Sequence, residues 1–79
     1  MTKGYSSKFI EAVNALDGAQ LGIRLGQLCI KNDIPVRDVS DLLKVSRVTV
    51  YNWFTGKTKV KGDFKEKVEK IIQRLGQDA

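Results

Sequence analysis

The chain has no histidine, one cysteine and one proline among its 79 residues. Without histidine, and with Cys29 alone, it cannot assemble a Ser–His–Asp triad, an imidazole acid–base pair or a Cys/His zinc site. A single cysteine also excludes an internal disulfide, which favours a reduced setting. No apolar run approaches the roughly 20 residues that span a bilayer. The first residues lack the charged-then-apolar pattern of a secretory leader, so the expectation is no membrane and a cytoplasmic location. Repeats, low-complexity tracts and linkers are missing too. A chain this short fills one modest core, so residues 1–79 are expected to form a single domain.

Chemistry for catalysis is equally thin. No nucleophile–base pair, metal cluster or phosphate-cradling glycine loop can be assembled, and the carboxylates fall at helix starts or between lysines. The expectation is a non-enzyme with no metal, no cofactor and no small-molecule substrate.

What the chain does have is positive charge, net +5, unevenly placed. Between Val36 and Gly62 stand six basic residues, Arg37, Lys44, Arg47, Lys57, Lys59 and Lys61, against only Asp38 and Asp41. The flanking segments are close to neutral. A concentrated positive field suits a polyanion, because neutralised phosphates release counterions. A solvated lysine-rich loop kept for solubility would look the same by charge alone.

Apolar spacing and stop signals predict an all-α, five-helix domain without strands, with helices at about 7–16, 18–32, 36–43, 47–55 and 63–75. Tyr5, Phe9, Ile10 and Val13 form the stripe of the first helix. Asp17 and Gln20 stand at capping-box spacing for the second, whose stripe is Leu21, Leu25, Leu28 and Cys29. Ile23 and Ile30 widen that apolar surface, which suits a central helix. Gly22 and Gly26 lie one turn apart on it and each costs roughly 1 kcal/mol of helix propensity. They mark either a close approach by another helix or a tolerated accident. Pro35 ends the second helix. Val36, Val39, Leu42 and Leu43 give a short third one, and Ser46 caps a fourth that stops at Gly56. Asp63 and Glu66 open the last helix as a capping-box pair, with Phe64, Val68, Ile71, Ile72 and Leu75 along its stripe.

The stretch "VRDVSDLLKVSRVTVYNWFTGKTKVK", Val36 to Lys61, places the third and fourth helices only three residues apart. So short a link makes the second helix project while the first braces it. On a wheel at about 100° per residue, with Arg47 at zero, Val50, Trp53 and Phe54 fall at about 300°, 240° and 340°. Arg47, Tyr51, Thr55, Val48 and Asn52 fall at about 0°, 40°, 80°, 100° and 140°. That second arc lacks the interleaved Glu and Lys of a merely solvated helix. Arg can meet guanine O6 and N7, Asn can meet adenine N6 and N7, and Val can meet a thymine methyl. Lys57, Thr58, Lys59 and Lys61 follow directly, in position for the sugar-phosphate backbone.

On these residues the chain resembles the helix-turn-helix domains of the lambdoid phage repressor and Cro type, the XRE family. The resemblance runs from about Leu21 to Lys61 and is carried by "VSDLLKVSRVTVYNWFTGKTK". Val39, Leu43, Val45 and Val50 occupy the usual apolar positions, Ser46 the cap, and Gly56 the glycine after the recognition helix. It implies base reading by Arg47, Val48 and Asn52, with Thr49 and Tyr51 at positions that vary between bases and phosphates. The phosphate contacts expected are Ser46, Thr55, Lys57, Thr58, Lys59, Lys61, Arg37 and Lys44. Val36 stands where many members have Gln, Ser40 where Ala is usual, and Lys44 where Gly is usual, so Lys44 is expected to adopt a left-handed conformation. Cys29 and Phe54 replace the buried Arg–Glu pair of many members with an apolar pair. The helix before Leu16 and the single long terminal helix also depart from the commonest member.

The function expected is therefore sequence-specific binding of double-stranded DNA by a transcriptional regulator, a phage or bacterial repressor or Cro-like protein. Its setting would be a bacterial cell or a phage-infected host. High specificity normally needs a homodimer on two half-sites. The Phe64–Leu75 and Tyr5–Val13 stripes are the candidate interfaces, although each more readily completes the core. The alternative is a small protein-binding module, a phage inhibitor or antitoxin-like protein, that grips a host protein with the projecting helix and Trp53 at its edge.

Overall fold

The three breaks legible in the sequence, at "LDGAQ", at Pro35 and at Gly56, each separate helices. The computed structural model describes residues 5–77. They form α1 (Ser7–Asn14), α2 (Leu21–Lys31), α3 (Val36–Leu43), α4 (Arg47–Phe54) and α5 (Asp63–Gln77). Among the described residues there is no strand, so the all-α, five-helix expectation holds.

Several boundaries move: α1 ends at Asn14 rather than 16, α2 and α4 each end one residue early, and the start of α2 and the end of α5 shift further. Asp17 does not open α2. Its Oδ1 accepts from the Ala19 amide at 3.0 Å, closing a local turn, and the helix begins at Leu21 with Gln20 as an N-cap that makes no side-chain bond. A short acidic side chain bonding two residues ahead competes with helix capping, and here the local turn wins. At the other end α5 continues to Gln77, because Gly76 does not stop it.

Helix α2 is the hub, packed against α1, α4 and α5. Leu25 and Cys29 on it are fully buried, together with Val13, Val50, Phe54 and Val68 from the helices around it. The glycines explain how α4 comes so near. A Cβ at Gly22 would fall 2.5 Å from the Trp53 carbonyl oxygen, and one at Gly26 would fall 2.8 Å from Phe54 Cγ. Both positions are close approaches, so the propensity cost of the two glycines is offset by contact with α4. Cys29 and Phe54 share this apolar core. Burial pushes the Cys29 thiol up to about 12, which marks a neutral packing group.

Helix α1 is stitched on at both ends. Gln27 on α2 donates from Nε2 to the carbonyls of Val13 (3.1 Å) and Leu16 (3.0 Å), tying the end of α1 to α2. At its start, Tyr5 stacks on Phe9 with centroids 5.8 Å apart and donates its hydroxyl to the Ile34 carbonyl at 2.6 Å. Tyr5 and Val13 are buried, so the first stripe belongs to the core. The last stripe does as well: Val68 and Ile72 are buried, with Phe64, Ile71 and Leu75 packed partly against them.

Between α3 and α4 the chain turns in three residues. Lys44 adopts the left-handed conformation (φ 57°, ψ 45°), as expected at a position where glycine would be unstrained. The Lys44 amide donates to the Ser40 carbonyl, and the Val45 amide donates to the same oxygen at 3.1 Å. Val45 tucks against the core, and Ser46 returns to extended geometry as the cap of α4. Val36 and Ser40 face inward. The Ser40 hydroxyl is satisfied by the Arg37 carbonyl at 2.9 Å, so a serine is tolerated inside without an unpaired polar atom.

Candidate functional site

Helix α4 divides along its length as the wheel predicts. Val50, Trp53 and Phe54 are buried, at 0, 5 and 0 % exposure. Arg47 and Val48 are exposed, Val48 at 66 %, while Thr49 and Asn52 are half-buried at the margin of the buried arc. Tyr51 lies at the opposite margin, 37 % exposed, where the Phe9 ring meets it edge-on at 5.3 Å. Arg47, Val48 and Asn52 therefore share an open face, and Tyr51 forms one rim of it with α1 behind.

The polar groups around this face are partly committed. Ser46 Oγ accepts from the Thr49 amide at 3.1 Å and lies 2.9 Å from Thr49 Oγ1. Both hydroxyls are thus engaged in capping. Thr55 Oγ1 donates to the Tyr51 carbonyl at 2.9 Å, so its hydroxyl proton serves its own helix and is withdrawn from the set of expected phosphate donors. The Thr58 amide donates to the Asn52 carbonyl at 3.3 Å, folding the loop back on the end of α4.

That loop is organised by two residues. Gly56 (φ 78°) donates its amide to the Trp53 carbonyl at 3.2 Å, a left-handed stop of the kind glycine favours. Val60 is 8 % exposed and belongs to the core. It anchors the loop so that Lys57, Thr58, Lys59 and Lys61 remain exposed around it. Val60 and Phe9 are the supports that the motif alone did not single out. Val60 was visible as one apolar residue alternating with lysines, and Phe9 as part of an aromatic stripe whose partner lay elsewhere.

Arg37 and Lys44 are both exposed, but they stand at opposite ends of α3, about 10 Å apart along its axis. No single phosphate receives both. Val36, where a polar clamp was the family expectation, is 4 % exposed and forms part of the core. Trp53 overturns one expectation: it does not stand at the edge of a projecting helix. It lies inside, 5.6 Å from the Phe64 ring, because Gly22 lets its backbone settle on α2.

Among the described residues no three His, Cys, Asp or Glu side chains gather as metal ligands. No helix there is long and apolar enough to cross a membrane. Comparison with protein-family models, with curated proteins and with solved structures finds no match to this chain.

Proposed function

We propose that this chain is a sequence-specific double-stranded DNA-binding protein of the helix-turn-helix kind, acting as a transcriptional regulator. Helix α4 enters the major groove, whose width admits a helix. The observation that carries this reading is the open face of α4. Arg47 and Val48 stay exposed and Asn52 half-exposed while the other side of the same helix is locked into the core. Arg47 and Asn52 have the donor and acceptor geometry to read a guanine and an adenine edge, and Val48 offers a methyl surface to thymine. Lys57, Lys59 and Lys61 hold phosphates beside the groove without reading sequence. The face carries no acidic side chain, as a polyanion partner requires.

The competing use of the same helix, to grip a host protein, loses its tryptophan anchor, because Trp53 is buried. Tyr51 remains at the rim, held edge-on by Phe9, so that reading keeps a tyrosine and Arg47 but no tryptophan at its centre.

Selection of bound fragments from a random duplex library tests the proposal. Enrichment of a short consensus is expected, bound with a Kd of about 10⁻⁸ M or tighter at moderate salt and far more weakly as salt rises. Recovery of unenriched sequence, or affinity indifferent to salt, would contradict it.

A further inference from the structure

Helix α1 lies outside Leu21 to Lys61, the stretch that carries the helix-turn-helix resemblance, yet it touches the open face of α4. The touch is made by rings. Phe54, fully buried, lies 6.5 Å from Tyr5. Tyr5 stacks on Phe9 with the ring planes 8° apart, and Phe9 meets Tyr51 at 5.3 Å and 88°. Four aromatic side chains thus run in sequence from the core to the rim of the α4 face. The run is tied at its second member, where the Tyr5 hydroxyl donates to the Ile34 carbonyl at 2.6 Å. Ser6 fixes the turn from which Phe9 projects, because its Oγ accepts from the Phe9 amide at 3.2 Å.

The two tyrosines of this run are used differently. Tyr5 is buried and its hydroxyl is engaged by Ile34. Tyr51 is 37 % exposed, and its hydroxyl makes no hydrogen bond among the described residues. A perpendicular ring pair is a favoured aromatic geometry, so Phe9 restricts the Tyr51 side chain before any partner arrives. A side chain ordered in advance loses less conformational entropy on binding.

We propose, on the reading of α4 as the DNA-facing helix, that Phe9 is a positioning residue for DNA binding. Through Tyr51 it presents a fixed phenol hydroxyl, at the rim of the α4 face, to a backbone phosphate. An α-helix with its side chains is about as wide as the major groove, so residues at the rim of the inserted face meet its phosphate walls. Tyrosine is among the side chains that make such contacts. Helix α1 thereby belongs to the binding apparatus without itself touching the duplex.

The affinities of wild type, Phe9→Leu, Tyr51→Phe and the double variant for the duplex selected from the random library test this. Tyr51→Phe keeps the ring pair, removes only the hydroxyl, and weakens binding about tenfold, equally on the consensus and on its single-base variants. Phe9→Leu weakens it about threefold to fivefold. The double variant is no weaker than Tyr51→Phe alone, whereas a merely structural Phe9 would give an additive loss. Neutralising single phosphates as methylphosphonates locates the acceptor: one substitution costs the wild type affinity and leaves Tyr51→Phe unaffected. A Tyr51→Phe loss confined to one base pair puts the hydroxyl on a base edge and overturns the phosphate contact. In the DNA-free wild type the Tyr51 ring protons are displaced from random-coil positions by the Phe9 ring current. Signals at random-coil positions overturn the proposal even if Phe9→Leu does not fold. Indifference to Phe9→Leu, or full additivity, overturns the role of Phe9 and leaves α4 as the DNA-facing helix. A wild type that binds no duplex removes that reading and this proposal together.

Discussion

Along α4, Val50, Trp53 and Phe54 are closed against the neighbouring helices, whereas Arg47 and Val48 on the same two turns are open to solvent. The closed side is specified by shape. Gly22 and Gly26 remove every atom that would hold α4 away, and Trp53 and Phe54 fill what is left. The open side is specified by chemistry. Its residues touch little of their own chain, so their identity is free to answer to a partner. Packing limits what the first set can be, and only function limits the second.

The comparison can be broken most forcefully from the closed side. Gly22→Ala puts a carbon where the Trp53 carbonyl stands, and a backbone atom cannot swing aside as a side-chain tip can. A loss of about 3 kcal/mol is expected, at the top of the usual overpacking range and despite alanine's better helix propensity. Urea unfolding reads it directly, and an unmoved midpoint would mean that the two helices are not so tightly apposed.

Substitutions on the open side behave in the opposite way. Arg47→Ala and Asn52→Ala leave the unfolding midpoint within about 0.5 kcal/mol. Each relaxes discrimination at one base pair by about 2 kcal/mol. Competition binding with single-base operator variants separates this from a general loss, and equal weakening on every duplex would argue against base reading. Smaller still is the effect of Lys57→Ala or Lys59→Ala. Each should lower affinity for all sequences alike and reduce the slope of log K against log salt by about 1. A slope that does not change removes that lysine from the phosphate contacts. The smallest change has the reverse sign. Lys44→Gly relieves a left-handed residue and should raise stability by about 0.5–1 kcal/mol, seen as a higher midpoint. A lower one would show that the Lys44 side chain contributes more than its backbone strain costs.

Much of this was legible in the sequence because helix periodicity and stop residues are local. The inner arc of α4, the cap at Ser46 and the stop at Gly56 each follow from one residue and its near neighbours, whereas the left-handed Lys44 was implied only by the family resemblance. What was not legible depends on contacts across the chain. Whether Gly22 marks a close approach is decided by Trp53, some thirty residues on, and whether Tyr51 is free is decided by Phe9. The start of α2 was misread for a related reason: Asp17 had two amides within reach, and spacing alone does not choose between Ala19 and Gln20. Thr55 shows the same limit at a site residue. Its place on the wheel suits a phosphate, but its hydroxyl bonds the carbonyl one turn back.

The central claim is that the free side of α4 is the surface that meets DNA. Chemical-shift mapping of the isotope-labelled chain, titrated with its selected duplex, addresses it most directly. The account predicts that the largest shifts fall on Arg47, Val48, Asn52 and the Lys57–Lys61 loop, with Val50 and Phe54 little affected. Shifts concentrated on α5, or no shifts at all with any selected duplex, would contradict it.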